Sequence, residues 1–133
     1  MLLDELTQSE KTAFWNIANL LAASDGRIDE EESILKQYSE EMGGTLEFVD
    51  SSSVDLDSEL SGFGGSALRN RKIIYFELFG VAYADTDLYE KELSILDKVR
   101  SALGIDPETS GSLENIVKNI FDSYKALGDI LNS

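Results

Sequence analysis

The chain has 133 residues, a formal net charge of -15, and neither cysteine nor histidine. These absences exclude thiol and imidazole catalysis, disulfides, and zinc sites built from thiolate or imidazole ligands. The negative charge repels phosphate groups and anionic lipid headgroups, so we expect no nucleic-acid partner and no membrane partner, whereas a cation or a basic protein surface would be attracted.

The length fits a single domain, residues 1–133, which is large enough to bury an ordinary hydrophobic core. The first six residues lack the basic segment and the long apolar core of a secretory signal. The longest apolar runs, such as residues 73–76, are too short to cross a bilayer. These features predict a cytoplasmic protein.

The first predicted helix begins with a capping box formed by Thr7 and Glu10, whose side chains satisfy free backbone amides. It should run from about residue 9 to residue 24. Its apolar side chains recur at the three-and-four spacing of one helical face, and they are Phe14, Ile17, Ala18, Leu21 and Ala22.

A turn at residues 25–28 should separate this helix from a second one. Asp29 is the expected cap of the second helix, and Gly43 lies near its expected end. The first helix-turn-helix unit therefore covers about residues 9–43.

Residues 45–65 lose the helical pattern and are rich in Ser, Asp and Gly. We interpret this segment as a connector that contains at most one short helix. A hairpin around residues 46–49 is an alternative for its first part.

The third predicted helix runs from about residue 66 to residue 84 and is the most apolar segment of the chain, so it should be the central helix of the core. A turn at residues 85–87 leads into a fourth helix, at about residues 88–103, which Gly104 ends. Together these two helices make a second unit, at about residues 66–103.

The last predicted helix follows Asp106, a capping residue, and Pro107, which is favoured at the first helical position. It should cover about residues 112–131 and lie across the bundle. Its apolar side chains at helical spacing are Leu113, Ile116, Val117, Ile120, Phe121, Tyr124 and Leu127.

The two units align without a gap when the sequence is shifted by 60 residues. In both units the first helix ends at an Asp, which is Asp25 or Asp85, and the second helix carries a Glu, which is Glu32 or Glu92. The sequence therefore predicts an all-α bundle of two pseudo-symmetric helix-turn-helix repeats and a C-terminal helix.

The four matched acids lie on the helical stripes that carry the core side chains. Each pair should therefore face the seam between its two helices, where a carboxylate is costly unless it is hydrogen-bonded, paired or bound to a cation. Carboxylate oxygens suit a hard divalent cation such as Mg²⁺, Ca²⁺ or Mn²⁺. The candidate metal ligands are Asp25, Glu32, Asp85 and Glu92.

Structural roles for the same acids stay open. Asp29 and Glu32 have the spacing of a capping box, so capping alone would explain the first Glu. In the second unit the local capping box moves to Asp87 and Glu90, which leaves Glu92 without a capping role. The alternative partners in plain salt bridges are Arg27, Arg71 and Lys72.

The segments Ala-Ala-Ser-Asp-Gly-Arg-Ile-Asp-Glu-Glu-Glu at 22–32 and Ala-Tyr-Ala-Asp-Thr-Asp-Leu-Tyr-Glu-Lys-Glu at 82–92 resemble the repeats of the tellurite-resistance TerB-like family. The chain is also similar to the N-terminal region of DnaJ-like membrane co-chaperones. The resemblance covers about residues 10–103, with Thr86 where Gly is usual. It implies an all-helical pseudo-symmetric fold, a stress-related role, and metal binding at the four acids.

The residue types offer no nucleophile with a matching base, so we expect a non-catalytic binding module that engages a protein partner, with a divalent cation as a candidate ligand. One alternative is a metal-dependent hydrolase that acts through the carboxylates. Another is a purely structural oligomerisation domain, and the sequence leaves self-association open.

Overall fold

The computed structural model describes residues 2–24, 29–44, 47–84 and 88–133, and of residues 29–31 it describes the backbone only. Within these ranges the chain forms α-helices, two 3₁₀ turns and no strand, which confirms the predicted all-α class. None of the described helices is long and apolar enough to span a membrane. The α-helices are α1 (Gln8–Ala23), α2 (Asp29–Glu41), α3 (Leu56–Ser61), α4 (Leu68–Ala82), α5 (Glu90–Leu103) and α6 (Pro107–Leu131).

Helix α1 begins at the predicted capping box. The Thr7 backbone N–H donates to Glu10 Oε1 at 2.8 Å, and the Glu10 N–H donates to the Thr7 hydroxyl at 3.2 Å. Asn70 of α4 also donates to Glu10 Oε1, at 2.9 Å. Burial alone would raise the pKa of Glu10, but hydrogen bonds from Ser66, Thr7 and Asn70 outweigh burial and lower the pKa. Glu10 is therefore a charged cap that also ties α1 to α4.

Helices α2 and α5 are followed by glycines, as the sequence predicts. Gly44 has a φ angle of 76° and Gly104 has a φ angle of 67°, a backbone region that other residues rarely adopt. The Gly44 N–H donates to the Ser39 carbonyl at 2.7 Å, and the Gly104 N–H donates to the Ser101 carbonyl at 3.2 Å. These bonds satisfy carbonyls that the last helical turn would otherwise leave free.

The connector contains one short helix, α3, and a 3₁₀ turn at Ser51–Ser53, in agreement with the prediction of little regular structure. Residues 47–49 form no strand, and residues 45 and 46 lie outside the described part of the chain. Trp15 Nε1–H donates to the Glu47 carbonyl at 2.7 Å, which fastens the connector to α1.

Helices α1 and α4 pack against each other, and α2 and α5 each pack on this pair. The predicted central helix is confirmed, since most of α4 is buried. Its buried residues are Ile73, Ile74, Tyr75, Leu78, Phe79, Gly80, Val81 and Ala82. They meet a second buried set on α1, whose largest members are Phe14, Trp15, Ile17 and Leu21.

A partly buried tyrosine, Tyr38, holds α2 close to α4. The Tyr38 hydroxyl donates to the Glu77 carbonyl at 3.3 Å, and its ring meets Phe14 edge-on with the centroids 5.7 Å apart. A Cβ atom added at Gly80 would lie 3.1 Å from the Tyr38 hydroxyl, so any other residue at this position would crowd the tyrosine. Burial raises the pKa of Tyr38 well above its ordinary value, and the neighbouring Glu77 adds to the shift. Tyr38 therefore remains a neutral donor.

Helix α6 has the predicted cap, because Asp106 Oδ1 accepts the Thr109 N–H at 2.8 Å and Pro107 occupies the first turn. The helix starts earlier than expected, and it packs on α4. Of the predicted contact with the bundle, the structure shows packing on α4, and the buried residues of α6, Ser110 and Val117, both lie in its first half. From Asp122 to the end of the chain, every residue except Gly128 is exposed.

Candidate functional site

The predicted carboxylate site is only partly within the described residues. Asp25 and Asp85 lie outside them. Glu32 is half-buried on α2, whereas Glu92 on α5 is 1% exposed. Among the described residues, no group of three or more acidic side chains is placed to hold a metal ion. The structure therefore places two of the four acids, on two helices that pack against the same central pair.

The prediction that Glu92 has no capping role is wrong. The Tyr89 backbone N–H donates to Glu92 Oε1 at 3.2 Å, so Glu92 satisfies an amide at the start of α5. The physical reason is the helix boundary. Because α5 begins at Glu90, with Tyr89 as the N-terminal cap, Glu92 occupies the third helical position, where a capping glutamate belongs.

Arg71, one of the proposed salt-bridge partners, binds backbone carbonyls. Arg71 on α4 donates from Nη1 to the Leu103 carbonyl at 2.7 Å and from Nε to the Ser66 carbonyl at 3.2 Å. Its guanidinium therefore caps the C-terminal end of α5, where free carbonyls carry partial negative charge. Arg69, its neighbour in the sequence, forms an ion pair with Glu5 at 2.9 Å.

A larger feature lies on α6, where a row of apolar side chains faces solvent. We define the α6 face by six residues and their exposed fractions, which are Ile116 50%, Ile120 43%, Tyr124 70%, Leu127 48%, Ile130 71% and Leu131 72%. These residues recur at steps of three and four, so they form one continuous stripe along the helix. Five of the six are aliphatic, and the sixth is an aromatic residue with a polar tip.

The charged residues of this part of α6 lie on the opposite side of the helix. At about 3.6 residues per turn, the α6 face and the charged set are half a turn apart. The charged set between residues 116 and 131 is Lys118, Asp122, Lys125 and Asp129, which sum to zero. The α6 face is flanked by small or uncharged side chains such as Asn119, Ser123 and Ala126. A locally neutral apolar surface is thus presented by a strongly acidic chain.

A third side of α6 packs on its own domain. Val117 is buried, and Phe121 meets the ring of Tyr83 edge-on with the centroids 6.1 Å apart. The Tyr83 hydroxyl donates to Asp122 Oδ1 at 3.0 Å, and the Tyr75 hydroxyl donates to Glu114 Oε2 at 2.5 Å. Burial and the Glu114 carboxylate together raise the pKa of Tyr75, so its hydroxyl stays protonated as the donor that links α4 to α6.

The α6 face carries a shallow groove, wide open to solvent, whose lining residues all come from α6, between Ile116 and Leu127. A second apolar groove of about 440 Å³ lies between α4 and the start of α6. It is lined by Leu68, Phe76 and Leu113 and also by the basic residues Arg69 and Lys72. Leu113 lies one turn before Ile116 on the same side of α6, so the two grooves form one apolar surface.

The sequence contained a signal for this surface. The apolar residues predicted on α6 cover two neighbouring sides of the helix, which is wider than contact with one neighbouring helix requires. Val117 and Phe121 account for one side, and Ile120 and Leu127 belong to the other. An apolar stripe of that width indicates two interfaces, of which the single domain covers one.

Comparison of the chain with protein-family models, curated proteins and solved structures finds no match. The likeness to TerB-like proteins thus stays an interpretation of the repeated segments. Burial, charge and helix geometry carry the functional conclusions.

Proposed function

We propose that this chain is a non-catalytic protein-interaction module whose partner binds the α6 face. The observation that carries the proposal is the exposure of all six side chains of that face, between 43% and 72%, on a helix whose other apolar side is packed. A packed helix that keeps a second apolar side in water is typical of a binding surface.

The size of the patch supports the proposal. If the area of an aromatic side chain, about 150 to 250 Å², is taken as an upper value for all six residues, their exposed parts present at most roughly 500 to 900 Å² of surface. The largest apolar patch of a typical monomer is about 300 to 600 Å² and is often functional. The α6 face is comparable in size with such patches, and the groove beside Leu113 extends it.

The charges around the face favour a protein over a lipid surface. Helices that lie in a membrane interface carry many Lys and Arg residues on their polar side. The polar side of α6 instead carries two Lys and two Asp between residues 116 and 131, and the whole chain carries a net charge of -15. An anionic membrane would repel such a chain.

Site-specific photo-crosslinking in cells tests the proposal. A benzophenone amino acid at Tyr124 replaces one exposed aromatic ring with another, and the same probe at Lys125 lies on the charged side of the helix. We expect a crosslinked protein product from position 124 and little from position 125. Equal yields, or no product at either position, would refute a partner on the α6 face.

The TerB-like architecture belongs to the same proposal. Its support is the order of the helices, since α1 with α2 and α4 with α5 form two successive pairs in the two aligned segments. Glu10 and Asn70, which are 60 residues apart, are joined by a hydrogen bond of 2.9 Å. A stress-related setting is what the resemblance implies.

Divalent-cation binding is a second candidate function, and the burial of the Glu92 carboxylate favours it. Glu92→Gln keeps an acceptor for the Tyr89 N–H but removes the charge, so this variant separates capping from cation binding. If the acids bind Mg²⁺, Ca²⁺ or Mn²⁺, millimolar metal should raise the melting temperature of the parent protein by several degrees and leave Glu92→Gln unchanged.

Glu10→Gln is the matched control, because Glu10 occupies the same position in the other capping box and is not a predicted ligand. It should keep the full response to metal. Equal melting temperatures of the parent protein with and without metal would refute cation binding. The alternative of a metal-dependent hydrolase would then be refuted as well. Loss of the response in Asp25→Ala with Asp85→Ala would extend the site to the aspartates.

A further inference from the structure

We infer that the partner on the α6 face is a second copy of this chain, packed antiparallel along α6 about a two-fold axis between Ser123 and Tyr124. This inference rests on the proposed function and names the occupant of the same surface. The evidence is the symmetry of the sequence about that point, the chemistry of the resulting seam, its area, and the position of the acidic domains.

The segment 116–131 has a nearly palindromic pattern about its midpoint. In an antiparallel two-fold pair, each residue lies opposite the residue at the same distance on the other side of the axis. Ile116 then meets Leu131 of the second copy, and Ile120 meets Leu127. Apolar side chains therefore face each other at these two levels of the seam, and Ser123 and Tyr124 meet at its centre. Ile130 lies at the edge of the seam because its opposite residue, Val117, is buried in its own domain.

No charged residue is buried by this pairing. The four charges of the segment lie on the side of the helix opposite the seam, so the pairing itself does not desolvate them. The segment sums to zero charge, so the two helices do not repel each other locally. The flanking side chains Asn119 and Ala126 are small enough to allow close approach of the helices.

The charge of the domains selects the antiparallel arrangement. A parallel pair would bring two acidic domains together at one end of the seam, whereas an antiparallel pair places them at opposite ends. At about 1.5 Å per residue, the 16 residues from 116 to 131 hold the ends of the seam about 24 Å apart. This distance exceeds the screening length of about 8 Å at physiological ionic strength.

The area is compatible with a pair. If each copy buried the whole of its exposed α6 face, the pair would bury at most roughly 1,000 to 1,800 Å² in total. Stable and specific interfaces bury about 1,200 to 2,000 Å². The side of α6 that packs on its own domain, marked by Val117 and Phe121, lies about a quarter turn from the α6 face. Both interfaces can therefore be occupied at once.

Sedimentation equilibrium from micromolar to millimolar concentration tests the pair. We expect a mass that approaches twice 14.7 kDa as the concentration rises. Ile120→Asp should return the mass to 14.7 kDa with an unchanged helical circular dichroism spectrum, because it places a charge in the seam. Asn115→Asp is the control, since it adds the same charge at an exposed position that precedes the seam and lies off the α6 face, and this variant should still dimerise.

Single-cysteine variants test the direction of the helices, and the parent chain has no cysteine to interfere. Ser123→Cys should form an intermolecular disulfide quickly, since it lies beside the two-fold axis. Ile116→Cys should not crosslink to itself but should crosslink to Leu131→Cys when the two proteins are mixed. Faster self-crosslinking of Ile116→Cys than of Ser123→Cys would indicate parallel helices and overturn the antiparallel pair.

A mass of 14.7 kDa at every concentration overturns the second copy as the occupant. The photo-crosslinking at position 124 separates the two failures. A product with a different protein would refute self-pairing and keep the interaction module, whereas no product would refute both. A mass above that of a dimer would also overturn the inference, because a closed two-fold pair leaves no free α6 face.

Discussion

Helices α4 and α6 are both rich in large apolar side chains, but they differ in what surrounds them. Helix α4 contacts α1, α2, α5 and α6, and side chains such as Ile74 and Leu78 are fully buried. Helix α6 packs mainly on α4, and its side chains Ile120 and Leu127 are nearly half-exposed. The number of neighbouring helices, and not the apolar content of a helix, decides how much of it is buried.

The comparison also separates two uses of apolar surface. In α4 the apolar side chains stabilise the domain, since removing them from water drives folding. In the second half of α6 they gain little from folding, because the folded domain leaves them in water. Only a second interface would remove these side chains from water and gain that free energy. We therefore place the binding function on the α6 face and not in the core.

The largest expected effect is in α4. Leu78→Ala removes a fully buried side chain and leaves a cavity, so it should lower the free energy of unfolding by about 2 to 5 kcal/mol. Urea unfolding followed by circular dichroism measures the change. A loss below about 1 kcal/mol would show that α4 is not the tightly packed centre of the domain.

An intermediate effect is expected at the contact between α1 and α4. The pKa of Glu10 is lowered in the folded protein, so its stabilisation is present above the ordinary carboxyl pKa and is lost as the pH falls through the folded value. Glu10→Gln should therefore cost about 0.5 to 1 kcal/mol at neutral pH and almost nothing in acid. Urea unfolding at several pH values gives this difference, and a cost independent of pH would contradict the charged cap.

The smallest effect is expected on the α6 face. Leu127→Ala, made in the Ile120→Asp background so that no pair forms, should change the free energy of unfolding by less than about 0.5 kcal/mol. It is the same substitution as Leu78→Ala at a residue that is 48% exposed. A loss comparable to that of Leu78→Ala would mean that the end of α6 packs on its own domain and that the comparison fails.

The sequence predicted several helix caps and turns accurately. The Thr7 and Glu10 capping box, the Asp106 cap with Pro107, and the turn at Gly104 all lie where their residue types predict them. Each depends on side chains and backbone groups within a few residues of one another. The wrong prediction for Glu92 was also a local error. The helix starts two residues later than predicted, which moves the capping position from Glu90 to Glu92.

The candidate site was harder to predict. Helical spacing on α6 identifies its apolar residues, but it does not say which of them another helix will cover. Ile116 and Val117 are adjacent in the sequence, and one is 50% exposed while the other is 2% exposed. That difference depends on the direction in which α6 crosses α4, which in turn depends on contacts such as Tyr75 with Glu114.

The sequence by itself therefore determined the all-helical class, several of the helix caps and the identity of the central helix, because caps, glycines and apolar periodicity act within one or two turns. Only the tertiary structure decided that Glu10 bonds to α4 and that Arg71 bonds to the last carbonyl of α5. It also decided that the second half of α6 is exposed. Burial depends on neighbours that are distant along the chain, and a pattern confined to one helix carries no information about them.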